Sequence, residues 1–118
     1  MRRIALALGA GLAVLAAAVL ALPASAAQDC GRVRFDYREQ GTRQFVEANG
    51  IRAQNAGCTA ARRVARRYAD ASRFVEGPGH VAGWTCRWTD LGSDVGRARC
   101  RRGGAVVSFA IYDSSPYH

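Results

Sequence analysis

The chain changes hydrophobic rhythm twice. From Arg32 to Arg38 the residues R-V-R-F-D-Y-R alternate strictly, which puts Val33, Phe35 and Tyr37 on one face of a half-buried strand. Gln40-Gly41 predicts a turn, Arg43–Val46 a returning strand, Asn49-Gly50 a further turn, and Ile51–Gln54 a short strand. The period then lengthens. At about 100° per residue from Cys58, Ala61, Val64, Ala65, Tyr68, Ala69 and Ala71 share one arc, and Arg62, Arg63, Arg66, Arg67, Asp70 and Arg73 fill the opposite arc. Phe74 would fall among the arginines, so the helix is predicted to stop near Ser72 or Arg73, with Asn55 or Gly57 capping its start. Arg62/Arg66 and Arg63/Arg67 are like-charge pairs one turn apart, each costing a few tenths of a kcal/mol. They read as the solvated face of an amphipathic helix.

Period two returns after a loop at Glu76–Gly83. In G-W-T-C-R-W-T, Trp84, Cys86 and Trp88 share one strand face, with Thr85, Arg87 and Thr89 on the other. Leu91–Gly96 predicts a turn, after which R-A-R-C-R alternates arginines outward and Cys100 inward. Arg102-Gly103-Gly104 turns the chain again, Val107, Phe109 and Ile111 line a last strand, and the tail from Asp113 to His118 is expected to fray. The predicted fold class is α+β, one amphipathic helix packed on a small antiparallel sheet in the order β-β-α-β-β-β.

The ends and the cysteines add the compartment. Arg2-Arg3 precedes an apolar run from Ile4 to Leu22, Pro23 breaks it, and Ala24-Ser25-Ala26 offers a small-x-small cleavage site. Residues 1–26 therefore read as a signal peptide for the general secretory route, and residues 27–118 as one small secreted domain with no membrane span after cleavage. A domain of this size has a thin core and benefits from covalent staples. Its four cysteines, in an oxidising space, make two disulfides with three possible connectivities. A hairpin centred on Ser93 places Cys86 opposite Cys100, closing a loop of roughly 15 residues for about 3 kcal/mol. That pairing leaves Cys30 for Cys58. With no C-x-x-C and only His80 and His118 to assist, no metal or other cofactor is expected.

All 17 basic residues are arginine, and the formal net charge is +8, two units less once Arg2 and Arg3 leave with the leader. A GC-rich genome accounts for such usage, although guanidinium also binds carboxylate and phosphate better than ammonium does. The combination of a signal peptide, GC-x-x-A-R-R-V-A-R on a helix, G-W-T-C, and R-C-R-R-G-G-x-V-x-F resembles a broad group of small secreted actinobacterial proteins of unestablished function. The resemblance covers roughly residues 50 to 111. It implies the helix, the core tryptophan and the disulfide cysteines, and brings no catalytic residue.

Four arginines form the candidate site. In the predicted hairpin Arg87 faces Arg99, flanked by Arg97 and Arg101, and like charges directly opposite are unfavourable unless something neutralises them. The helix must lay its apolar arc on the inner sheet face, so its arginines point away from these four. Two separate basic faces are a poorer nucleic-acid groove than one stripe, and Trp84 and Trp88 read as core instead of a base-stacking platform. The leading expectation is a secreted, non-enzymatic binding or envelope-associated domain whose partner is an anionic glycan, teichoic acid or a protein. A competing reading is a ribonuclease-type hydrolase using Glu39, Glu47, Glu76, His80 or His118, although the expected catalytic pattern and any G-x-S-x-G are missing from the sequence. A third is an inhibitor presenting the loop Gly77-Pro78-Gly79-His80.

Overall fold

A computed structural model describes residues 26–92 and 95–115. The expected leader up to Ser25, the Ser93-Asp94 centre of the expected Leu91–Gly96 turn, and Pro116 to His118 of the expected tail lie outside the described residues. Strands β1 (Gln28–Glu39) and β2 (Thr42–Gln54) precede helix α1 (Cys58–Ala71), and β3 (His80–Val81), β4 (Trp84–Gly92), β5 (Val95–Arg102) and β6 (Ala105–Asp113) follow it. They form one antiparallel sheet in the order β1-β2-β6-β5-β4-β3, curved into a half barrel. The α+β fold read from the pattern is the one observed, with β3 as a two-residue addition inside the expected loop.

The turn expected at Asn49-Gly50 is not observed. The segments on either side of Asn49-Gly50 are a single strand, and those residues form an irregularity in it instead of a turn. Gly50 takes the left-handed conformation at φ 59°, inserting an extra residue that shifts the alternation by one. Val46 and Ala48 before it, and Ile51 and Ala53 after it, therefore all reach the interior.

Helix α1 lies across the inner face, against β1, β2, β6 and β3. It buries Ala61, Val64, Ala65, Tyr68 and Ala69, while Arg62, Arg63, Arg66 and Arg67 are exposed. Gly57 caps its start with backbone alone, and Ser72 ends it, its hydroxyl donating to the Ala69 carbonyl at 2.7 Å. Small helix residues allow this close approach to the sheet. Tyr68 fills the centre, edge-on to Phe109 at 5.3 Å and stacked on Trp88 at 6.1 Å. Trp88 fits because β5 carries Gly96 beneath it; a Cβ there would overlap the six-membered ring. Both predicted disulfides are present, Cys30–Cys58 joining β1 to the helix and Cys86–Cys100 joining directly opposed residues of β4 and β5.

The expected frayed tail is also corrected, as far as Ser115. Asp113 and Ser115 are buried. Tyr37 Oη and the Ser115 amide both donate to Asp113 Oδ1, at 2.8 and 2.9 Å, and Ser115 Oγ donates to Glu39 Oε1 at 2.9 Å. The Phe45 amide donates to Ser114 Oγ and the Ser114 amide to the Phe45 carbonyl, at 2.9 and 3.0 Å. Polar side chains here extend the sheet beyond its last apolar residue, a function that hydrophobic periodicity does not register.

Candidate functional site: two arginine surfaces and a cavity

The hairpin register places the predicted residues together on the outer face, the side of the sheet away from α1. Arg87 is the direct partner of Arg99, while Arg97 and Arg101 face Thr89 and Thr85. All four are exposed. Alternation repeats the β5 arginines about every 6.8 Å along the strand, and neighbouring strands lie about 4.8 Å apart. The same lateral row continues through Ser108 of β6 to Arg52 of β2. Arg52 donates to the Ala27 carbonyl at 3.3 Å. None of the ion pairs among the described residues includes Arg87, Arg97, Arg99 or Arg101.

The other half of that face is arranged differently. Arg32 lies 3.7 Å from Glu47, and Arg34 lies 3.2 Å from Asp36 with its guanidinium 3.8 Å above the Phe45 ring. Arg32 and Arg34 there have carboxylate or aromatic partners, whereas Arg38 stands directly opposite Arg43 beside the turn, with neither in an ion pair among the described residues.

A second basic surface was hidden in the helix pattern. Arg63 and Arg67 border a cleft of about 220 Å³ whose far side is Arg102, over a floor of Val64, Ala82 and Trp84. Among the described residues, no carboxylate lines it. The Arg102 guanidinium sits 4.7 Å over the Trp84 ring. Sequence reasoning took Arg102 only as part of a turn. The clue was alternation: with Arg99 and Arg101 outward, Arg102 must point to the helix side. The other helix arginines serve differently, since Arg62 donates to the Cys30 carbonyl at 3.0 Å while Arg66 is exposed.

A cavity of about 240 Å³ opens beyond the helix C-terminus, with Arg73, Phe74, Val75, Trp88, Asp90 and Asp113 among its walls. Arg73 is fixed there by Asp70 at 3.3 Å and by the rings of Tyr37 at 4.2 Å and Phe74 at 4.9 Å. Burial, followed by the hydrogen bond to Asp113, pushes the Tyr37 phenol up to about 12. Burial alone pushes Tyr68 up to about 12, and its hydroxyl has no hydrogen-bond partner among the described residues.

The hydrolase candidates are dispersed. Glu39 is on edge strand β1 and holds Ser115, whereas His80 is exposed on β3 at the opposite edge. Glu47 is engaged by Arg32 on the outer face, and Glu76 lies on the exposed loop at the cavity rim. Among the described residues, no three His, Cys, Asp or Glu side chains gather as a metal site, and no helix is long and apolar enough to cross a membrane. The Gly-Pro loop is packed down: Pro78 is buried, a Cβ on Gly77 would stand 2.8 Å from Trp88, and the Gly79 carbonyl accepts the Cys86 amide at 2.7 Å. Phe74 and Val75, just upstream, are exposed apolar residues. No protein-family model matches the chain, and no curated protein and no solved structure is found to be similar to it.

Proposed function

We propose that this is an exported, non-enzymatic binding domain that holds an anionic polymer of the cell envelope against the outer face of β4 and β5. Arg87, Arg97, Arg99 and Arg101 are the contact residues. The observation that carries the reading is the clustering of four arginines on one hairpin face, Arg87 directly opposite Arg99 and flanked by Arg97 and Arg101, with none of the four in an ion pair among the described residues. Export rests on the leader-like residues 1–26 and on two disulfides, which persist in oxidising compartments.

The shape of the surface selects the class of partner. Exposed charge pairs contribute only about 0.2–1 kcal/mol each, so a single small anion is held weakly here. A chain with repeating negative charges engages several guanidiniums at once, and its second and later contacts are intramolecular. The tryptophans offer no base-stacking platform beside the arginines, because Trp84 and Trp88 lie on the inner face, and the outer-face ring of Tyr112 is packed against Phe45. An acidic glycan or a teichoic-type polymer therefore fits better than nucleic acid.

Retention of the oxidised protein on heparin and on purified cell-wall polymer tests the proposal. Arg87→Gln/Arg99→Gln should elute at distinctly lower salt than the parent protein. Equal elution would remove the outer face from the function. Turnover of RNA or peptidoglycan that disappears on His80→Ala would instead establish the hydrolase.

A further inference from the structure

We infer that the cleft between α1 and the β3–β4 turn is a phosphate-binding site, with Arg63, Arg67 and Arg102 converging on the oxyanion. It stands on observations separate from those behind the outer-face reading. Arg63 and Arg67 are one helical turn apart and project side by side at about 5–6 Å between Cβ atoms. Arg102 comes from the end of β5 and completes the third side of the same cleft. The floor of Val64, Ala82 and Trp84 supplies no carboxylate to balance the three cations. Each of the three arginines is exposed, and none takes part in an ion pair among the described residues.

The seating of Arg102 adds a directional component. Trp84 is only 3% exposed and presents its ring to the guanidinium 4.7 Å away. A guanidinium stacked on an aromatic face keeps its in-plane N–H donors free for an anion. Being held, it also loses less side-chain freedom when the anion arrives. Three guanidiniums match a tetrahedral group presenting three oxygens, whereas a planar carboxylate presents two. At about 220 Å³ the cleft is below the roughly 300–1,000 Å³ that encloses a drug-sized molecule. It therefore takes a phosphate group, free or as the ester of a larger molecule whose remainder stays outside.

Arg101 and Arg102 are consecutive, one facing outward and the other toward the helix. The end of β5 thus contributes to both basic surfaces, and a phosphate-bearing polymer lying on the outer face has a docking point around the sheet edge.

Titration of the full oxidised domain with inorganic phosphate, read by NMR at the arginine Nε–H groups, tests the site. Arg63, Arg67 and Arg102 should shift along a saturable curve at millimolar phosphate, while Arg87 and Arg99 drift without saturating. Arg67→Gln, on an exposed helix position, should weaken the saturable phase at least fivefold, and Arg102→Gln should do so more strongly. Acetate at equal ionic strength should give no saturable phase. Glycerol phosphate separates the sources: saturation equal to inorganic phosphate assigns an esterified phosphate as an acceptable ligand, and saturation by inorganic phosphate alone restricts the site to the free ion. Unaltered titration in Arg67→Gln, or equal response of the outer-face arginines, would overturn the assignment. Because Arg87→Gln/Arg99→Gln leaves this cleft intact, loss of polymer retention in that variant and loss of phosphate saturation in Arg67→Gln are separate failures.

Discussion

On the β1–β2 half of the outer sheet face, Arg32 has Glu47 within 3.7 Å, and Arg34 has Asp36 within 3.2 Å and the Phe45 ring beneath it. On the β4–β5 half, Arg87 faces Arg99, Arg97 and Arg101 face threonines, and no ion pair among the described residues reaches any of the four. Residue type, face and exposure are shared; the setting is not, apart from Arg38 and Arg43, which repeat the direct opposition once at the β1–β2 turn. A genome rich in arginine codons would explain how many arginines the chain has, but not why carboxylates sit with Arg32 and Arg34 while the four arginines of β4 and β5 have none among the described residues. With 17 basic and nine acidic residues, many arginines must go without a carboxylate. Placing four such arginines on one hairpin, two of them directly opposed, sets up repulsion that a bound polyanion relieves.

The largest test concerns the covalent frame. Chain-entropy arguments assign about 3 kcal/mol to the Cys86–Cys100 link and about 3.5 kcal/mol to the longer Cys30–Cys58 loop. Cys86→Ala/Cys100→Ala cuts the staple behind the arginine hairpin, so urea unfolding should shift by that amount and polymer retention should fall with it. Cys30→Ala/Cys58→Ala should destabilise slightly more, yet the molecules that remain folded should bind as the parent does. Retention lost equally in both variants would mean that the two halves do not differ as the charges suggest.

Next comes the seat of the hairpin. Gly96→Ala places a methyl group where the Trp88 indole lies, and Gly77 approaches the same side chain from the loop. With little room to move, Trp88 must leave its stack on Tyr68, at a cost of about 2–3 kcal/mol. A normal urea midpoint with unchanged indole fluorescence would show that the ring is not confined there.

These two tests address features of unequal legibility. Strict alternation around Ser93 encoded the register of Cys86 with Cys100 and of Arg87 with Arg99, because period two fixes which residues can oppose one another. The helix was equally plain from the arc of Ala61, Val64, Ala65, Tyr68 and Ala69. Asn49-Gly50 misled because the same dipeptide chemistry that closes turns also makes bulges, and only pairing with β6 decides between them. The Asp113–Ser115 anchor was invisible for a different reason: it is made of side-chain hydrogen bonds to residues some 70 positions away. Likewise, periodicity assigned Arg63 and Arg67 to solvent correctly, but could not show that Arg102 stands across the cleft.

Smaller effects separate the two buried tyrosines. Tyr37→Phe removes the bond that ties β1 to Asp113, costing about 1–2 kcal/mol, whereas Tyr68→Phe removes a buried hydroxyl with no partner among the described residues and should leave stability equal or raise it by up to about 1 kcal/mol. Both phenols titrate near 12 in the folded protein against about 10 in the unfolded chain. The folded state therefore holds these protons more tightly. Their contribution is fully present below pH 10 and is lost as pH rises toward 12. Each phenylalanine variant should flatten part of that alkaline decline, and an unchanged decline in both would relocate its cause.

The smallest effect bears most directly on the comparison, because it is a difference of sign. Arg34→Thr removes a guanidinium with a carboxylate partner and an aromatic platform, and should destabilise by about 0.5 kcal/mol. Arg99→Thr removes one member of an opposed like-charge pair and substitutes a good strand former, and should stabilise by a few tenths of a kcal/mol. Strand propensity differs between edge strand β1 and interior strand β5, so the part of the difference that salt removes is the part that reports the charges. Raising the salt to 1 M shortens the screening length to about 3 Å, which should bring the two variants together. Adding the polymer at low salt should act the other way, stabilising the parent and losing much of that effect in Arg99→Thr. Equal signs at low salt would mean that the β4–β5 arginines are already neutralised within the fold, leaving no repulsion for a bound anion to relieve.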